Sequence, residues 1–196
     1  MLKRIFDIIF SLIGILILLP FFVLFAILII SDSGFPIFYS QKRVGRNEID
    51  FPLLKFRTMK KDSDKKGLLT ISEKDSRITN IGYFLRKYKI DELPQLFNVL
   101  IGNMSLVGPR PEVRKYVEIY NAEQKKVLSV KPGITDYASI EYANENEILS
   151  KSENPEQLYI NEVMPAKLKL NLKYIAEKSF VTDLEIIFKT IGKIVS

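Results

Sequence analysis

The sequence predicts an α+β, mainly helical fold: an N-terminal re-entrant membrane helix, a small β-hairpin and amphipathic interfacial helices. Three observations carry this. Residues 5–30 are almost wholly apolar, interrupted only by Asp7, Ser11, Gly14 and Pro20. A stretch of alternating residues is broken by Gly45-Arg46-Asn47, as two strands around a turn would be. Beyond it, apolar residues recur at helical spacing in several separate segments.

The N-terminal segment comes first. A secretory signal has a shorter apolar run and a small-residue cleavage site, and neither is evident, so the segment reads as retained in the membrane. At about 1.5 Å per residue it reaches about 39 Å, enough for a hydrocarbon core of about 30 Å. Pro20 removes a backbone donor and tends to kink a helix, and neither half crosses alone. Lys3 and Arg4 precede the segment, while Lys42, Arg43 and Arg46 follow it. Basic flanks stay cytoplasmic, which favours a re-entrant helix bent at Pro20 over a kinked span.

The strands are expected at 37–44 and 51–57. Side chains alternate along a strand, so Leu53, Lys55 and Arg57 share one face of the second. Lys55 and Arg57 there form either a solvated surface or a phosphate-facing wall. Residues 60–75 are charged, carry Gly67 and read as a loop beside the site. Ile78, Ile81, Leu85 and Tyr88 then mark a helix ending near Ile90, with Asp91 as cap of the next helix and Pro94 in its first turn. Near the C-terminus one helix starts about Pro165 and includes Leu168, Leu172 and Ile175. A second has Thr182 and Glu185 as a capping box, followed by Ile186, Ile187, Ile191 and Ile194. These helices either pack on the core or lie in the lipid interface. The resulting division is a membrane helix at 1–32, a catalytic core at 33–140, and an acidic connector with amphipathic helices at 141–196.

Charge and composition narrow the chemistry. The formal net charge is +6, yet residues 141–162 hold six glutamates against Lys151. The rest of the chain is therefore strongly basic, which suits an anionic partner such as a phosphorylated substrate or acidic lipid. No Trp, no nucleic-acid module and a lipid-seeking N-terminus argue against nucleic acid. The chain has no histidine and no cysteine, which removes the usual neutral-pH base, the thiol nucleophile and the usual zinc ligands. Catalysis must then use carboxylates, hydroxyls, Lys, Arg or a hard metal.

Asp91 and Glu92 stand just before an apolar helical run, and Arg110 follows between Pro109 and Pro111. An acidic pair at a helix start can be simple capping. It can also hold magnesium, which needs only one or two carboxylates plus phosphate oxygens and water. An ionised carboxylate can further attack phosphorus and form an acyl phosphate. The prolines restrict the backbone around Arg110, whose planar fork suits bidentate phosphate binding. Arg86 lies one turn before the acidic pair and is a second candidate for the same pocket.

The run from Asp91 to Glu112, DELPQLFNVLIGNMSLVGPRPE, resembles the bacterial sugar transferase signature. The resemblance extends upstream through Gln41-Lys-Arg-Val-Gly-Arg46 and Lys55-Phe-Arg-Thr-Met59, and downstream through Lys131-Pro-Gly-Ile-Thr135. Its size is similar to that of the small monotopic phosphoglycosyl transferases. The resemblance implies transfer of a sugar-1-phosphate from a UDP-sugar to undecaprenyl phosphate, giving UMP and a polyprenyl diphosphate sugar. It implies a bacterial inner-membrane protein with its catalytic part on the cytoplasmic face. It places the covalent nucleophile on Asp91, with Glu92 as magnesium ligand or proton acceptor. Arg86 and Arg110 match phosphate-binding positions, and Pro20 matches the residue that breaks the re-entrant helix. Asp136-Tyr137-Ala138 departs from the glycine and bulky residue of many relatives, which bears on the donor-sugar pocket. The alternative is a catalytically inactive membrane-anchored scaffold, against which the intact Asp91, Glu92 and Arg110 argue. The particular UDP-sugar and the oligomeric state, homo-oligomers included, stay open.

Overall fold

A computed structural model describes residues 2–61, 63 and 75–195. The loop expected at 60–75 lies almost entirely outside the described residues. The rest is mainly helical, with one small antiparallel hairpin and one short parallel strand pair.

Helix α1 (Leu2–Ser33) lays one stripe on the body. Ser11, Ile15, Phe22, Phe25 and Ile29 are buried along it, at the spacing of a single helix face. The opposite side, from Ile5 to Leu28, exposes leucines, isoleucines and phenylalanines over its whole length. A Cβ on Gly14 would come within 3.3 Å of Leu96, so the helix runs close to the body at mid-length. Pro20 lies inside this helix, and the backbone remains helical on both sides of it. The proline thus does not divide the segment in two.

Both ends of α1 are tied to the same body. At the start, Lys3 donates to the Val107 carbonyl at 3.0 Å and pairs with Asp183. Arg4 donates to the Val99 and Leu100 carbonyls at 2.6 and 2.9 Å, and Asp7 accepts from Ser105 Oγ and Leu106 N–H, both at 3.0 Å. At the far end, Asp32 accepts from Asn80 Nδ2 at 3.1 Å and from the Ile81 N–H at 3.0 Å. These bonds sit on the first turn of α2 (Asn80–Lys87), where a carboxylate meets the positive end of the helix dipole.

Strands β1 (Phe38–Val44) and β2 (Asp50–Phe56) pair antiparallel, with Phe38 opposite Phe56 and Val44 opposite Asp50. Asn47 and Glu48 have positive φ in the connecting turn, at 56° and 62°. Phe51 and Leu53 pack inward with Val99 and Met104. Phe56 joins Phe22, Phe25, Ile29 and Leu85 in a second cluster between hairpin, α1 and α2.

Two helix starts differ from expectation. Asp91 does not cap the next helix: it occupies a 3-10 turn, Ile90–Glu92, four residues ahead of α3 (Gln95–Ile101). Lys89 reverses the chain in the left-handed region at φ 57°, which separates α2 from that turn. Thr182 likewise does not cap the last helix. Ser179 does so, its Oγ accepting from the Thr182 N–H at 3.1 Å, so α9 (Phe180–Val195) begins earlier. Thr182 instead bonds back to the Glu177 carbonyl at 3.0 Å.

Strands β3 (Ser105–Val107) and β4 (Gly133–Thr135) pair in parallel. Helix α4 (Arg114–Val117) lies in the β3–β4 connection, and after β4 come α5 (Tyr137–Glu141), α6 (Glu145–Ser150), α7 (Pro155–Leu158) and α8 (Met164–Glu177). The acidic segment is folded as well as charged. Leu149, Tyr159 and Val163 enter the largest core cluster beside Val113, Val117 and Leu168. Most of its glutamates stay at the surface while its apolar residues complete the core; Glu145 instead turns in to pair with Lys167.

Candidate active site

Asp91 and Glu92 are adjacent but differ in environment. Asp91 is 7% exposed and carries no hydrogen bond or ion pair among the described residues. Burial pushes its pKa up, against the opposing pull of the Lys55 ammonium. Glu92 is engaged on both oxygens. Arg110 Nη1 donates to its Oε2 at 3.0 Å, Arg110 Nη2 donates to its Oε1, and Lys55 Nζ donates to Oε1 at 2.9 Å. Burial works against the charge of Glu92, yet Arg110 and Lys55 hold its pKa well below the ordinary range. Lys55 itself is pushed down, first by burial and further by the nearby Arg110. One carboxylate is locked in its charged form and its neighbour is left uncommitted.

Three elements set this geometry. Lys55 lies on β2, and β2 is fixed by Asn98, whose Oδ1 accepts from the Leu54 N–H at 2.9 Å. Its Nδ2 donates to the Pro52 carbonyl at 2.7 Å. Asn98 belongs to α3 and is 1% exposed, so one buried amide holds the lysine strand against the segment that bears Asp91 and Glu92. Arg110 depends on the chain following β3. Gly108 N–H donates to the Thr135 carbonyl, and Gly133 N–H to the Pro109 carbonyl, both at 3.0 Å. A Cβ on Gly133 would lie 2.1 Å from the Gly108 nitrogen, so the two backbones meet only without side chains. Asp136 then takes the Arg110 N–H at 2.9 Å through Oδ2 and the Ser139 N–H through Oδ1, capping α5.

The structure brings Lys55, Asp91, Glu92 and Arg110 together. Arg86 has its charge near Asp91 and helps to lower that pKa, though it makes no hydrogen bond to the acidic pair. Arg57 is turned elsewhere. It donates to Ser33 Oγ at 2.8 Å, to the Phe35 carbonyl at 3.0 Å and to the Gly34 carbonyl, so it fastens the end of α1. It lies just past β2, where strand alternation no longer keeps it beside Lys55. Asn98 and Asp136 are the supporting residues that sequence reasoning missed. A lone polar residue within an apolar helical run, and an Asp three residues before Ser139, were the available signals.

The donor set fits a hard divalent ion. Asp91 supplies uncommitted oxygens, and no cluster of three acidic ligands exists among the described residues. Phosphate oxygens and water would therefore have to complete any magnesium shell here. The fold and site define a membrane-associated protein with a buried acidic pair, in which Glu92 is bound by Arg110 and Lys55 and Asp91 is not.

The bacterial sugar transferase family model matches residues 1–196, and the chain belongs to that family. It is 40% identical over 200 residues to the galactosyl transferase CpsE of Streptococcus agalactiae, covering 96% of this chain and 41% of that protein. It is 35% identical over 199 residues to a UDP-N-acetylgalactosamine-undecaprenyl-phosphate N-acetylgalactosaminephosphotransferase of Aeromonas hydrophila, covering 99% and 44%. It is 34% identical over 201 residues to the UDP-glucose:undecaprenyl-phosphate glucose-1-phosphate transferase of Escherichia coli, covering 98% and 40%. The chain thus spans less than half the length of these three relatives.

Proposed function

We propose that the protein transfers a sugar-1-phosphate from a UDP-sugar to undecaprenyl phosphate, in two steps through Asp91. An Asp91 oxygen attacks the phosphorus bearing the sugar, the bond to the bridging oxygen of UMP breaks, and UMP leaves. An oxygen of the lipid phosphate then attacks the same phosphorus and releases the Asp91 carboxylate. The observation that carries this is the contrast between the neighbours: Glu92 is bound by Arg110 and Lys55, and Asp91 is buried without a partner. A nucleophile must be free to meet phosphorus, and a charge stabiliser must be fixed beforehand.

Arg110 and Lys55 are placed to bind phosphate oxygens, with Arg86 adding charge on the Asp91 side. Magnesium, held by an Asp91 oxygen with the substrate phosphates and water, would supply further neutralisation of the charge that gathers there, whereas Glu92, expected as a second ligand, has both oxygens taken by Arg110 and Lys55. The surroundings of α1 support membrane insertion from one face. Both its ends are bonded to one body and its outer side is apolar from Ile5 to Leu28, which supports a helix bent at Pro20 that inserts from one side without carrying the body across. The basic residues at both ends support a location of that body on the cytoplasmic face of the bacterial inner membrane.

The test is UMP release by full-length protein in nanodiscs with undecaprenyl phosphate and a panel of UDP-sugars. Release is expected with magnesium and one donor, together with a phosphosugar adduct detectable by mass. Asp91→Asn is expected to lose both. Full turnover in that variant overturns the nucleophile assignment, and absence of release with every donor favours the scaffold.

A further inference from the structure

Behind Arg110 a cavity of about 180 Å³ opens between the Arg110–Val113 segment and α8. Most of its polar lining already has partners. Glu112 accepts from Arg43 Nη1 at 3.1 Å, from the Val113 N–H at 2.8 Å and from the Tyr159 hydroxyl. Glu145 accepts from Lys167. Asn171 differs: it is 4% exposed, lines the cavity, and its Oδ1 is buried without a hydrogen-bond partner. A buried acceptor of this kind calls for a donor that the folded chain does not supply.

The chemistry of the occupant follows. With Glu112 and Glu145 each neutralised by a cation, the interior suits an uncharged molecule rich in hydrogen-bonding groups. Among its lining residues only Arg110 also binds the acidic pair, so on the transferase reading the occupant hangs from the phosphate that Arg110 would bind. A diphosphate donor has two such arms, a nucleoside and a sugar. A nucleobase seeks an open aromatic face, whereas Tyr159 and Tyr116 are tilted against each other at 5.0 Å with Lys167 and Lys115 over them, and Tyr120 is buried in the core. The relatives' names differ in the sugar, and the far wall here, Glu145 to Asn171, lies beyond the motif residues that assemble the phosphate site.

Resting on the transferase reading, we infer that this cavity receives the sugar of the donor and that Asn171 Oδ1 accepts from one of its hydroxyl or acetamido groups. Asn171 is then a specificity-determining residue, and the Lys167–Glu145 pair is the adjoining wall.

The test uses full-length protein in nanodiscs with magnesium, and UDP-glucose, UDP-N-acetylgalactosamine and UMP as probes. Saturation-transfer NMR reads binding, and UMP release reads turnover. In the unmodified protein the sugar-ring protons of the preferred donor are expected to receive saturation. Asn171→Leu, which fills the site, and Asn171→Ala, which opens it without breaking a bond, are expected to weaken that donor about tenfold and to shift the preference between the two sugars. UMP binding is expected to hold within about twofold. Parallel weakening of UMP and donor assigns the cavity to the nucleoside and overturns the inference. Unchanged binding in both variants, or sugar protons silent in the unmodified protein, overturns it as well. Saturated sugar protons without any UMP release leave this assignment standing and fail the transferase reading alone.

Discussion

Arg110 holds Glu92 through both terminal nitrogens of its guanidinium, and Lys55 closes on the same carboxylate at 2.9 Å. Burial makes this triad costly to disturb, because removing one member leaves a charge without its partner. Arg110→Lys retains the charge but loses the fork. A loss of about 2–3 kcal/mol of transition-state stabilisation is expected, or about 30- to 160-fold in kcat/KM, measured as UMP release.

Asp91 and Glu92 have opposite effects on stability. The folded pKa of Asp91 is raised, so its contribution is greatest below the ordinary carboxylate pKa and is lost as pH rises through the folded value. The folded pKa of Glu92 is lowered, so its contribution is present above the ordinary value and is lost as pH falls through the folded one. At neutral pH Asp91→Asn is therefore expected to raise the thermal midpoint by a few degrees while abolishing turnover. Glu92→Gln is expected to lower it. Melting curves at pH 7 check both, and a lowered midpoint for Asp91→Asn contradicts the assignment.

Asn98 connects α3 to β2 through two backbone bonds. Asn98→Leu leaves the Leu54 N–H and Pro52 carbonyl unpaired at a cost of about 1–3 kcal/mol each. Because Lys55 is carried on the same strand, kcat is expected to fall together with stability, as denaturation and kinetics on one preparation will show.

Arg57 gives a prediction of the opposite kind. Its donors go to Ser33, Gly34 and Phe35, so Arg57→Ala is expected to loosen the end of α1 and lower the thermal midpoint. The KM for the donor is expected to stay within about twofold, since no phosphate-binding group is lost. A large rise in KM, with unchanged stability, restores Arg57 to the phosphate site.

Asp136 links Arg110 to the start of α5 through the two oxygens of one carboxylate. Asp136→Ala removes that cap and is expected to cost about 0.5–2 kcal/mol of stability. It also frees the Arg110 backbone, so donor affinity is expected to fall in the same variant, a combination that titration calorimetry and melting curves resolve.

The sequence by itself determined the features that are local or periodic. The apolar run of α1, the hairpin around Gly45, the helices near residues 80 and 165, and the pairing of an acidic dipeptide with a proline-braced arginine were all legible. Each depends on residues close in the chain or on a repeat of hydrophobicity. Helix starts were less legible, because Asp91 and Thr182 are both acceptable caps by residue type, yet packing put Asp91 in a separate turn and gave the last cap to Ser179. Only the tertiary structure decided which cations belong to the site. Lys55 and Arg57 are two residues apart, yet one reaches Glu92 and the other the end of α1. Likewise only folding divided the acidic pair into a bound Glu92 and an unpartnered Asp91. The physical reason is that burial and charge pairing depend on groups brought together across the chain, here 18 residues for Arg110 and 37 for Lys55. Local sequence names the groups able to do the chemistry, and long-range packing selects which of them is left free to react.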